Sequence, residues 1–131
     1  MARKIYETVT FPHTLPGGTG AADALTTYTP GYRGRIVRWA FVTQVAGTGS
    51  GATRTPNLEI NAVNVTGSDG VALALADTSA VGEVKALGTP TALNEFDEDD
   101  TISIEWASGG TAFTAGSGAF LVVLEQKTRG I

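Results

Sequence analysis

Between Gly34 and Val45 the chain reads Gly-Arg-Ile-Val-Arg-Trp-Ala-Phe-Val-Thr-Gln-Val, and this stretch restricts the fold more than any other. A helix repeats its apolar face every three or four residues, whereas a strand sends successive side chains to opposite faces. Only the second period fits here. It predicts Val37, Trp39, Phe41, Thr43 and Val45 on a core face that carries the rings. Ile36, Arg38, Ala40, Val42 and Gln44 fall on the other face, which is neither plain solvent face nor plain core because Arg38 sits among small apolar residues. The closing stretch Ala119–Lys127 poses the same question. Phe120, Val122 and Leu124 point one way, Leu121 and Val123 the other, so its middle is apolar on both faces. Such a strand is either central and covered twice, or meets another subunit.

The rest of the chain breaks into short alternating runs between glycine clusters. Residues 21–29 read as a weak strand, and 54–65 as a returning strand with Leu58, Ile60 and Ala62 on one face. Val71–Leu75 suits a strand or a short helix. Thr101–Ala107 is a clear strand with Ile102, Ile104 and Trp106 inward. Pro12–Gly20 reads as a linker, because its prolines lack donors and its glycines are flexible. About eight strands in one domain-sized chain predict an all-β, single-domain antiparallel β-sandwich, jelly-roll-like, over residues 21–131. Residues 1–20 read as an N-terminal arm and Pro/Gly linker that precede it, with a first strand of the same sheet as the alternative for residues 1–11.

Charge divides unevenly along the chain. Residues 1–54 hold six cations and two acids; residues 55–131 hold three cations and eleven acids. A folded domain with one positive and one negative surface would suit self-assembly or docking on a charged partner. The alternative is that the halves interleave and the charges mix. The acidic balance speaks against nucleic acid. No run reaches the ~20 apolar residues of a membrane helix, and the opening residues do not read as a secretory signal. The absence of cysteine excludes disulfides and thiolate metal sites.

Gly47-Thr48-Gly49-Ser50-Gly51-Ala52 has the spacing of a nucleotide-binding loop, but a strand follows rather than a helix, so it reads as a hairpin loop. The acidic run Glu95, Asp97, Glu98, Asp99 and Asp100 fits a solvated or partner-facing patch better than a calcium site, which needs six to eight oxygens. His13 has no partner set for triad or metal chemistry and reads as a linker residue. Trp39 and Trp106 could stack sugars, but their inward positions favour core. Arg33, Arg35, Arg38 and Arg54 could form a basic patch. No nucleophile–base set appears, so no enzyme activity and no cofactor are expected.

The order of phrases then carries a resemblance. Trp-Ala-Phe-Val-Thr (39–43) leads into Gly-Thr-Gly-Ser-Gly-Ala-Thr (47–53), then Asn-Leu-Glu-Ile-Asn (57–61), Val-Thr-Gly (65–67), Asp-Asp-Thr-Ile-Ser-Ile (99–104) and Thr-Ala-Phe-Thr-Ala-Gly-Ser-Gly (111–118). Over roughly residues 34–127 this resembles the small virion proteins of tailed bacteriophages, most of all capsid decoration (cement) proteins. The resemblance implies a homotrimer on the outer capsid surface, made in the host cytoplasm, that binds the major capsid protein and stabilises the head. It implies no cofactor and neither nucleic acid nor membrane as partner. On that reading Arg3, Lys4, Ile5, Glu7 and Val9 of the arm, with Asp97, Glu98 and Asp99, would contact the capsid. Arg38, Val42, Leu121 and Val123 would form the trimer interface. The alternative is a receptor- or glycan-binding β-sandwich from a head or tail fibre.

Overall fold

A computed structural model describes residues 4–127, and they form two antiparallel sheets packed face to face. The strands are β1 (Ile5–Thr14), β2 (Ala22–Tyr28), β3 (Gly34–Thr48), β4 (Thr53–Arg54), β5 (Pro56–Ile60), β6 (Val63–Asn64), β7 (Leu73–Ala74), β8 (Val84–Ala86), β9 (Glu95–Phe96), β10 (Ile102–Trp106) and β11 (Ala115–Gln126). One 3-10 helix, Leu75–Thr78, follows β7, so the ambiguous Leu-Ala-Leu-Ala segment is part strand and part helix. One sheet has the order β1-β11-β3-β8, with β9 also on β3; the second has the order β2-β10-β5-β6; β4 and β7 make a short ribbon.

Eight main strands remain when the ribbon and β9 are set aside. They pair first with last (β1 with β11), second with seventh (β2 with β10), third with sixth (β3 with β8) and fourth with fifth (β5 with β6). One long hairpin has been rolled so that successive pairs alternate between sheets, which is the jelly roll.

The core lies between the inner faces. Phe120 is at its centre, stacked on Trp39 at 5.6 Å, edge-on to Phe41 at 5.1 Å and facing Trp106 across the sandwich at 5.6 Å. Each ring buries roughly 150–250 Å², worth about 4–6 kcal/mol of transfer free energy. Ile102, Ile104 and Trp106 are buried as their alternation predicts. β3 keeps its alternation only in the middle. Val123 pairs with Arg38 and Leu124 with Ile36, so β3 carries an extra residue at Val37. This bulge buries Ile36 and leaves Val37 half-buried, the reverse of the expected assignment. A second extra residue at Gln44, opposite Ser117 and Gly118, turns Val45 outward to 55% exposure.

Three further points of the sequence reading are decided or changed. First, the segment read as an arm is, over Ile5–Thr14, the edge strand of the body's own sheet, paired with β11 in unbroken register from Ile5–Gln126 to Thr14–Ser117. Leu15 N donates to Gly116 O at 3.0 Å in continuation of that register. Odd-numbered β1 residues therefore bond toward β11, and even-numbered ones turn their backbone groups to the free edge. Pro12 is even, so its missing donor faces outward, the one place a strand tolerates proline. His13 is accordingly a strand residue, not a linker residue. It is half-buried against Trp106 and Phe120 at 5.9 and 6.4 Å.

Second, the returning strand is a hairpin. Asn61 and Ala62, with φ of 50° and 64°, form the two-residue turn between Ile60 and Val63, so Ala62 is exposed rather than inward. Third, the charges interleave. Arg33 pairs with Asp97, Arg35 and Lys4 with Glu125, and Lys85 with Asp77. Arg54 belongs to no surface patch. It is 1% exposed, and its guanidinium donates to the carbonyls of Gly18, Gly20 and Ala107. The Pro/Gly segment is thereby fastened to the body.

Candidate functional site

Because β1 and β11 are antiparallel partners, the start of one lies beside the end of the other. The start of β3 also lies there, since Gly34 pairs with Gln126. β9 joins at Gly34 and Arg35, and the turn from β5 to β6 arrives with Ile60, which pairs with Ile102. One pole of the sandwich thus gathers residues near 4–7, 32–35, 60–63, 91–102 and 125–127.

Charge is organised at this pole. Arg33 Nε donates to Asp97 Oδ1 at 3.1 Å and Arg35 Nε to Glu125 Oε1 at 2.9 Å, with Lys4 Nζ 3.9 Å from Glu125 Oε2. The nearby Tyr6 hydroxyl first, and then the Arg35 hydrogen bond, hold the Glu125 carboxyl below the ordinary range, and proximity to Glu125 raises the Tyr6 hydroxyl. Tyr32 donates to Glu7 at 2.7 Å; burial first, and then this bond, push its pKa far above the usual tyrosine value. The 97–100 turn is closed by Asp97 N donating to Asp100 Oδ2 at 2.8 Å. Asn61 Nδ2 donates to the other oxygen of Asp100 at 2.8 Å, and together these bonds lower the Asp100 pKa. Two clefts of about 570 and 670 Å³ open side by side and share Arg35, Glu95 and Asp100 in their walls.

The residues expected at a capsid contact distribute as follows. Lys4, Ile5, Glu7, Asp97, Glu98 and Asp99 converge on this pole although more than eighty residues of chain separate the two groups. Glu98 and Asp99 are exposed and have no hydrogen-bond or ion-pair partner among the described residues. Val9 does not belong with them. It lies on the inner face of β1, opposite Val122, partly buried against the core. Arg3 lies outside the described residues.

Arg38, Val42, Leu121 and Val123 share one surface, the outer face of the first sheet. Register places Thr8, Val123 and Arg38 in one row, Thr10, Leu121, Ala40 and Ala86 in the next, and Pro12, Ala119, Val42 and Val84 in a third. β11 is central within its sheet; on its outer face Ala119 and Val123 are 2% and 8% exposed and Leu121 is half-buried, while Val84 at the rim is 62% exposed. Trp39 and Trp106 are 2% and 0% exposed, so both are core, and neither offers a stacking platform.

Sequence reasoning missed the surface between Asn61 and Glu95. Val63 and Leu93 are 52% and 63% exposed and line the larger cleft. Asn-Ala between two alternating runs was the available signal for the first; nothing in the chain marks the second. Among the described residues no group of three or more His, Asp or Glu side chains stands in metal-binding geometry. Comparison with protein-family models, curated proteins and solved structures gave no match.

Proposed function

We propose that this chain is a capsid decoration protein of a phage head, which associates as a homotrimer and docks on the major capsid protein at the outer surface. One observation carries the reading: two different surfaces are available on one rigid sandwich. The outer face of the first sheet, with Val42, Leu121 and Val123, suits self-association. The pole with Lys4, Ile5, Glu7 and Asp97–Asp99 suits a charged partner. A cement protein needs both, because it stabilises by binding the assembled state alone, and three linked copies multiply modest contacts. The free edge of β1 adds a backbone route. Tyr6, Thr8, Thr10 and Thr14 turn donors and acceptors to solvent, so a partner strand can extend the sheet there. The proposal assigns no catalytic step and no cofactor.

Light scattering on the purified protein should give three chains per particle. Expanded heads stripped of the protein should bind it, and free capsid subunits should not. A stable monomer that ignores heads overturns the proposal. The competing glycan-binding reading needs an exposed ring. Among the described residues Tyr6 is the one exposed aromatic, at 54%, and binding on a glycan array that Tyr6→Ala abolishes would favour it.

A further inference from the structure

Leu93 breaks a local rule without a local gain. Its φ is 55°, the left-handed region that bulky side chains avoid. Burial does not compensate, because the side chain is 63% exposed. The neighbours explain how the conformation is held. Ala92 O accepts from Thr66 N at 3.0 Å, on the side of the second sheet. Asn94 is fastened twice to β3 of the first sheet: its O accepts from Ile36 N at 2.8 Å, and its Nδ2 donates to Ile36 O at 2.8 Å. Leu93 spans the two anchorages and projects outward. Beside it, Ala62 is also in a left-handed conformation, at φ 64°, and Val63 is 52% exposed. Asn61 locks that turn by donating to Asp100 and accepting from Thr101 N at 3.0 Å.

The result is a rigid apolar knob on a wall that also carries Glu95 and Asp100, next to the unpaired Glu98 and Asp99. The one cation in that wall, Arg35, is already engaged with Glu125. We infer that Leu93 and Val63 form a pre-organised docking knob for a partner-protein segment that presents an apolar side chain flanked by lysine or arginine. The acidic surround selects the flanking cations, and a locked backbone spares the ordering entropy that binding otherwise costs. This deepens the docking reading above and rests on the pole being the partner-facing end.

The probe is a synthetic extended peptide alternating lysine and leucine, titrated into isotope-labelled protein and followed by NMR. Shifts should localise to residues 61–63 and 91–100 and fade with salt. A peptide with glutamate in place of lysine should leave the spectrum unchanged. Leu93→Asn keeps a residue that tolerates the left-handed region, so its melting temperature should not fall, while affinity drops about tenfold. A merely structural Leu93 would give the opposite pattern, lower stability with unchanged affinity. Peptide shifts elsewhere, no shifts at all, or undiminished affinity in Leu93→Asn each overturn the inference. Stripped heads separate the two readings. If heads bind Leu93→Asn as well as the native chain, the knob is wrong and docking stands. If the peptide binds the knob but heads bind neither protein, docking on heads is wrong and the knob stands.

Discussion

Replacing Arg54 with Met tests how the Pro/Gly segment is ordered. Arg54 is 1% exposed, and no carboxylate pairs with it among the described residues. Its compensation comes from carbonyls instead: Nη1 donates to Gly18 O, and Nη2 donates to Gly20 O at 2.8 Å and Ala107 O at 2.9 Å. Two of these acceptors belong to the segment and the third to the residue that follows β10. Met keeps the apolar stem and most of the volume but removes every donor. Three charge-assisted bonds at roughly 1.5–3 kcal/mol each set the upper side of the loss. Relief of the guanidinium's desolvation works the other way. Gly18 and Gly20 are exposed and regain water if the segment lifts, which reduces the loss again. The net expectation is about 3 kcal/mol out of a total of about 5–15 kcal/mol, or roughly 9–15 °C in melting temperature.

Urea unfolding gives the first number, and hydrogen exchange shows where it acts. Gly109 N donates to Thr19 O at 2.7 Å and Phe113 N to Pro16 O at 3.0 Å, so both amides should exchange faster in Arg54→Met while those of β11 change little. Arg54→Lys should recover a minor part, because an ammonium cannot present the planar fork. If Arg54→Met unfolds within about 0.5 kcal/mol of the native chain and both amides stay protected, the clamp is not what orders the segment.

Four other outcomes follow from the same geometry. Phe41→Asp should fail to fold, since Phe41 is fully buried and a charge there costs roughly several kcal/mol. Val42→Asp, on the outer face, should stay folded by near-ultraviolet circular dichroism and run as a monomer by light scattering; if it too unfolds, that face is a second core layer. Ala62→Gly should raise stability by about 1 kcal/mol, because Gly suits φ 64° where Ala is strained. An unchanged urea midpoint would refute the strain. Burial lowers the His13 pKa, so folding favours the neutral ring over the charged one. Its stabilisation is complete above the unfolded value of about 6.5 and is lost as pH falls through the lower folded value. His13→Gln should therefore flatten the loss of stability as pH falls below about 6.5 relative to the native chain, and parallel curves would show that His13 is not responsible.

Much of the fold is legible in the residues, and the failures have physical causes. Ile102, Ile104 and Trp106 obey alternation because nothing interrupts β10 against β5. Ile36 and Val37 exchange places because a bulge inserts a residue without requiring any residue type. Pro12 pointed to a linker because proline excludes a central strand; it says nothing against an edge whose donors face solvent. Arg54 looked like surface charge because its partners are carbonyls, which every residue supplies and no sequence pattern marks. The acidic loop was visible as composition, but its neighbours were not. Arg33 and Asp97 are 64 positions apart, and Arg35 and Glu125 are 90 apart.

The topology explains why those distant groups meet. In a long hairpin rolled into two sheets the first and last strands must pair, so the start of β1 and the end of β11 share a pole. β3 pairs with β11 as well, which brings Gly34 and the arginines beside it to the same place. β9 closes on Gly34 and Arg35 by two residue pairs, and so delivers the acidic turn to the arginines that neutralise part of it. The cations of the first half and the acids of the second were therefore never destined for opposite surfaces. They are the two sides of one seam, and Asp97 and Glu125 are consumed in closing it. What the seam does not consume, Glu98 and Asp99 with Leu93 and Val63 beside them, stays exposed at the pole, and it is the surface that the proposed docking would use. A charge reversal at Glu98 and Asp99 should thus change binding without changing stability, whereas reversal at Glu125 should change both.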